Sequence, residues 1–118
     1  MNRLNEKTIQ EIRRAAGESV LRELFEVFLS ASEPRRKAAL DAVKNQDSAA
    51  GEMAFHSIRS SSATIGLQFL SERAALLEDL VAQGAWDEVR RALRQFKEEF
   101  AVSVKCLQTE LASLSDET

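Results

Sequence analysis

The run Ala54-Phe55-His56-Ser57-Ile58-Arg59-Ser60-Ser61-Ser62-Ala63-Thr64-Ile65-Gly66 decides how the chain is to be read. Phe55, Ile58, Ser62 and Ile65, with Phe69 just beyond, step by 3, 4, 3 and 4, which is the spacing of a helical seam packed against neighbours. At about 100° per residue, His56 projects roughly 150° away from the centre of that seam, so the single histidine faces outward. Its neighbours on the outer face are Ala49, Met53, Ser60, Ala63 and Leu67, none of which carries a charge. A solvated helix face is normally rich in Lys and Glu. A small, mildly apolar strip around an exposed imidazole therefore reads as a docking surface for another protein.

The same three-four spacing extends in both directions, interrupted at Gly17, Pro34, Gly66 and Gly84. Leu4, Ile9 and Ile12 predict a short first helix closed near Gly17, and Leu21, Leu24 and Phe28 stripe a second that reaches about Ser32. Pro34 is expected to break or kink this helix. Ser32 then caps a further segment, carried by Ala38, Ala39, Ala42 and Val43 to the turn Asn45-Gln46-Asp47. Asp47 or Ser48 can cap the next helix. Trp86, Val89, Leu93, Phe96 and Phe100, continued after a shift by Val104, Leu107, Leu111 and Leu114, predict the longest helix, with Ser113 to Thr118 turning polar and fraying. Short breaks between helices favour an antiparallel four-helix bundle with a short extra N-terminal helix, a single all-α domain over residues 1–118 with its core about 4–114.

Composition supports helices and removes several functions. Ala, Leu, Glu, Lys and Arg make 61 of 118 residues, Val, Ile and Thr only 15, and Gly with Pro only 5, too few for the corners of a β fold. The longest uncharged stretch, Ser60 to Ser71, has 12 residues against the roughly 20 of a membrane span, and the charged N-terminus does not resemble an export signal, so a cytoplasmic location is expected. A lone Cys106 closes no intrachain disulfide and, with one histidine, supports no zinc site. A net charge of −3 opposes nucleic-acid binding despite Arg90, Arg91 and Arg94. The four glycines are scattered, so no glycine-rich loop cradles a nucleotide.

The segment His56-Ser57-Ile58-Arg59-Ser60-Ser61-Ser62, followed by Gly66, Leu70 and the pair Leu77-Glu78, resembles the histidine-containing phosphotransfer (HPt) domain of two-component phosphorelays. In that family the His is followed by Leu or Ile, Lys, Gly and small residues; here Arg59 stands in the Lys position and keeps the charge. Ser60 stands in the Gly position, where Gly gives a partner close access beside the His. The resemblance implies that His56 accepts a phosphoryl group from a response-regulator receiver aspartate and relays it to another receiver, one donor being a hybrid histidine kinase. It implies that Glu78, on the next antiparallel helix, accepts a hydrogen bond from the Nδ1–H of His56 and leaves Nε2 as the nucleophile. Mg²⁺ belongs to the partner receiver, so this chain, read as a monomer, needs no cofactor of its own. Arg59, one turn from His56, is placed to pair with an anion on the ring, and Met53, Ser60, Ala63 and Leu67 line the docking face. A reading from another class stays open: a non-phosphorylated helical adaptor that binds and sequesters a receiver or kinase.

Overall fold

The computed structural model describes residues 3–115, which form α1 (Glu6–Ala16), α2 (Glu18–Lys44), α3 (Ser48–Thr64), α4 (Gln68–Ala82) and α5 (Trp86–Ser115), with no strand among them. Local chemistry sets the ends. The side chains of Asn5 and Asp47 accept from the backbone N–H of Thr8 and Ala50, capping α1 and α3. At the end of α3, Gly66 adopts φ 83°, its N–H donates to Ala63 O (3.2 Å), and the N–H of Leu67 reaches back to Ser62 O (2.9 Å). This Schellman pairing reverses the chain in three residues. The same two bonds close α2 through Gln46 and Asp47, and α4 through Gly84 and Ala85.

Helices α2, α3, α4 and α5 pack in a closed ring, each on its sequence neighbour and α5 back on α2, while α1 lies along α2. The 30 residues of α5 span about 45 Å, which accounts for the 47 Å long axis. Phe55 meets the ring of Phe96 edge-on at a centroid distance of 5.3 Å, joining α3 to α5 across the core. The N-terminal segment covers one end of the bundle: the Asn5 N–H donates to Gly66 O at 2.8 Å, and Leu4 and Ile9 are buried. The Arg3 guanidinium lies 5.3 Å from the centre of the Phe69 ring.

Three local expectations give way to packing. Helix α2 runs unbroken through Pro34, and Ser32 caps nothing; it is buried, and its hydroxyl donates to Leu29 O at 2.7 Å. Proline inside a helix costs about 3 kcal/mol, but burial of Phe25 and Phe28 before it and of Ala39, Ala42 and Val43 after it holds both flanks in one line. Leu4 precedes α1 rather than opening it. The seam of α3 ends at Ile65, since the helix stops at Thr64; Phe69 falls on the outer side of α4 at 37% exposure. At the other terminus α5 continues to Ser115 with Leu114 buried and its carbonyl accepting from Arg22 at 2.9 Å. Of Ser113 to Thr118, expected to fray, Ser113 to Ser115 belong to α5, and the remainder lies outside the described residues.

Gly51, inside α3, is buried against Val81 of α4, and a Cβ there would sit 2.6 Å from Val81 Cγ1. The stiff β-branched valine, itself fully buried, cannot swing away. A Gly→Ala change on an open helix stabilises by about 0.5–1 kcal/mol, whereas Gly51→Ala is expected to lose about 1–2 kcal/mol through overpacking. Urea unfolding checks the sign, and a raised midpoint would show that the α3–α4 spacing is not set at this contact.

Candidate functional site

His56 stands near the middle of α3, and α4 runs antiparallel beside it. Two contacts bracket the histidine and fix the register: Gly51 against Val81 on one side, and on the other the Ser71 hydroxyl, which donates to the carbonyl of Arg59 at 3.0 Å. Between them Glu78 of α4 comes opposite His56. Its Oε2 lies 3.1 Å from His56 Nδ1, and its Oε1 accepts from Arg59 at 3.2 Å. One carboxylate thus holds an imidazole and a guanidinium, one on each oxygen.

Exposure separates the roles of the three groups. The His56 side chain is 65% exposed and that of Arg59 49%, while Glu78 is 20% exposed and held between them. With the ring proton on Nδ1, the imidazole donates to Glu78 and leaves the Nε2 lone pair directed outward. A neutral imidazole in this tautomer is a nucleophile with no further base required. Orientation by a carboxylate on the opposite nitrogen fixes the tautomer, as such partners do for metal-bound histidines.

Of the residues expected to line the face, Met53 is 75% exposed and Ser60 and Ala63 are exposed beside the ring. Leu67 is not part of it. The projection that placed Leu67 there assumed an unbroken helix, but α3 ends at Thr64, and Leu67 turns inward to full burial as the residue closing the Schellman turn. The face extends instead toward α2. A groove of about 430 Å³, lined by Pro34, Arg35, Ala38, Met53, Ala54 and Ser57 among others, runs beside the histidine. Sequence reasoning missed it because α2 was expected to break where it in fact continues.

Gly51 and Ser71 were also missed as positioning residues. A signal existed for the first, since an isolated glycine within a helical pattern usually has a packing reason. None existed for Ser71, whose partner is a backbone carbonyl 12 positions away. Cys106 is half-buried against the core, as a packed small residue would be, and Arg90, Arg91 and Arg94 lie exposed on α5, Arg90 paired with Asp87 and Arg94 with Glu98. No helix among the described residues is long and apolar enough to cross a membrane, and no three of their His, Cys, Asp or Glu side chains are grouped to hold a metal ion.

The fold is similar to a known one. The chain superimposes with a TM-score of 0.86 on the crystal structure of histidine-containing phosphotransfer protein B (HptB) from Pseudomonas aeruginosa PAO1, covering 94% of this chain and 96% of that one at 21% identity. At that identity the likeness speaks for the fold. A comparison with curated proteins finds no match. The family model of the Hpt domain matches residues 23–117, from the second turn of α2 onward and including the whole of α3 and α4, and the chain therefore belongs to the Hpt domain family.

Proposed function

We propose that this chain is a phosphorelay intermediate in which His56 accepts a phosphoryl group from the aspartyl phosphate of one response-regulator receiver and passes it to the aspartate of another. The observation that carries this reading is the outward imidazole whose Nδ1 is held by Glu78, which leaves Nε2 free. The Nε2 lone pair attacks phosphorus while the bond from phosphorus to the aspartyl oxygen breaks and its electron pair stays on the departing carboxylate. The ring keeps its Nδ1 proton throughout and becomes cationic, next to the Glu78 carboxylate. No proton needs to move. Phosphoryl transfer depends mainly on in-line positioning and neutralisation of charge, and the reading assigns Mg²⁺ and the acceptor aspartate to the receiver.

The receiver is to be placed over Met53, Ser60 and Ala63, with the α2–α3 groove alongside. That face is small, apolar and uncharged except at its edge, where Arg35 and Arg59 lie. A receiver's acidic phosphorylation pocket suits such a rim, because rim charges steer encounter while the centre is desolvated.

Incubation with phosphorylated receivers should place an acid-labile, base-stable phosphate on the chain. His56→Gln is expected to abolish acceptance while unfolding stability stays within about 1 kcal/mol of wild type, since the exposed ring contributes little packing. Acceptance by that variant would put the nucleophile elsewhere. Glu78→Ala should slow acceptance roughly 10-fold or more without abolishing it, as loss of a group that fixes a ring tautomer does; unchanged single-turnover kinetics would make Glu78 an ordinary surface carboxylate.

Ala63→Glu tests the docking face. The side chain is exposed and off the core, so the fold should survive while calorimetric binding to a receiver is lost through clash and repulsion. Unchanged binding would remove this face as the docking surface. Tight wild-type binding with no phosphate acceptance would favour the sequestering adaptor, for which Ser60 in place of the family glycine is the motivating departure.

A further inference from the structure

A cavity of about 260 Å³ opens on the α4 flank of α3, on the other side of that helix from the α2–α3 groove. Asn5 and Thr8 wall it on one side, Ala63 joins it to the histidine face, and Gln68, Ser71 and Glu72 of α4 complete it. The walls are stitched together. The Asn5 N–H donates to Gly66 O at 2.8 Å, and a Cβ on Gly66 would lie only 3.3 Å from Thr8 Cβ. Asn5 Nδ2 donates to Gln68 Oε1 at 3.2 Å, and Gln68 Nε2 donates in turn to Glu72 Oε1 at 3.2 Å. This chain of bonds runs one way and ends on a carboxylate. Asn5 and Thr8 precede residues 23–117, so the cavity is built partly from residues outside the segment that the family model matches.

The lining fixes the chemistry of what fits. Glu72 is the one ionisable side chain on the cavity; it is exposed and forms no ion pair among the described residues. The end charges of α3 and α4, negative and positive, meet at this turn and offset each other, so Glu72 sets the sign. The Ser71 hydroxyl spends its proton on the Arg59 carbonyl and offers the cavity only lone pairs. An acceptor-rich site with one free carboxylate suits a cation. Its volume falls below the roughly 300–1,000 Å³ of small-molecule sites and matches the end of a single side chain. We propose that this cavity takes a basic side chain of the docked receiver, paired with Glu72, and that Glu72 and Arg35 together set which way round the receiver sits. The inference rests on the phosphorelay reading above.

Orientation follows from the order of the helices. Helix α3 lies between α2 and α4, so the face carries the Arg35 cation on its α2 flank and the Glu72 anion on its α4 flank. Arg35, like Glu72, has no ion-pair partner among the described residues. A receiver that brings an acidic group to Arg35 and a basic one to Glu72 is attracted at both ends, and the same receiver turned by half a turn about His56 is repelled at both. In-line transfer tolerates one orientation, so a charge at each flank serves the reaction without touching it. Receivers are then sorted by what stands opposite Glu72.

Single-turnover acceptance from a phosphorylated receiver, measured against receiver concentration, tests this with wild type, Glu72→Gln and Glu72→Lys. Glu72 is exposed, so the variants keep the fold. The half-saturating concentration should rise about threefold in Glu72→Gln and about 10-fold or more in Glu72→Lys, with the limiting rate within about twofold of wild type. The differences should narrow at about 1 M salt, where screening acts over about 3 Å. Lys and Arg residues on the receiver surface are then changed to Glu one at a time, and one such reversal should restore Glu72→Lys to within about threefold of wild type. A half-saturating concentration unchanged in Glu72→Lys would overturn the pocket and leave the phosphorelay reading standing. Rescue by no reversal, or by all of them alike, would also overturn it, since the effect would then be one of net charge. Absence of phosphate on wild type from every phosphorylated receiver would overturn the phosphorelay reading and this inference with it.

Discussion

The register between α3 and α4 is the constraint on which the site depends. Two helices joined by a three-residue turn can still slide by a fraction of a turn, and one residue of slip, about 1.5 Å, would carry Glu78 out of hydrogen-bond reach of His56 Nδ1. Three contacts prevent this. The Schellman bonds at Gly66 fix the reversal, Ser71 ties α4 to the Arg59 carbonyl, and Gly51 lets Val81 settle against the α3 backbone. The first sets the starting phase and the other two hold it over nearly the whole length of α3. The N-terminal segment adds to the first, since Asn5 bonds the Gly66 carbonyl and closes the turn from outside.

Because the register is held by the Gly66 turn, the Ser71 bond to the Arg59 carbonyl and the Gly51–Val81 contact, the exposed side chains of His56 and Arg59 contribute little to stability. His56 and Arg59 project into solvent, while Phe55 on the opposite side of α3 joins Leu77 of α4, Phe25 of α2 and Phe96 of α5 in the apolar core. The histidine face is thus free to be chosen for its chemistry and for its fit to a partner. This separation explains why an uncharged strip can persist on a helix in a chain that is 30% charged: the charges are placed on other faces, where they keep the molecule dispersed.

Much of this was legible in the sequence because the signals are local. Helix boundaries at Gly17, Asp47 and Gly66 follow from caps, and the outward aim of His56 follows from the phase of Phe55, Ile58 and Ser62. The readings that did not hold each extended a local rule across a tertiary decision. Pro34 breaks a helix only when neither flank is buried enough to hold the line, and both flanks of α2 are. Leu67 falls on the His56 side only if the helical phase continues past Gly66; the same Gly66 that makes the helix stop recognisable ends that phase, and Leu67 is buried. The Ser71 bond and the α2–α3 groove arise only when separate helices meet, and no spacing along the chain announces them.

The serine-rich half of α3 bears on how a partner can dock. Covering a polar group with protein is unfavourable when its hydrogen bonds are lost, which ought to penalise a face flanked by Ser60, Ser61, Ser62 and Thr64. Two of these hydroxyls are already committed to their own helix: Ser61 donates to Ser57 O at 2.8 Å and Thr64 to Ser60 O at 3.0 Å. Ser62 is buried in the core and never meets a partner. Desolvation of this part of α3 therefore falls chiefly on Ser60, on the Nε2 of His56 and on the guanidinium of Arg59. In the transfer proposed above, the last two meet a charged phosphoryl group in place of water. Under that proposal, a face with few other polar groups to satisfy discriminates by whether the partner brings that anion, which is the distinction a phosphorelay has to make.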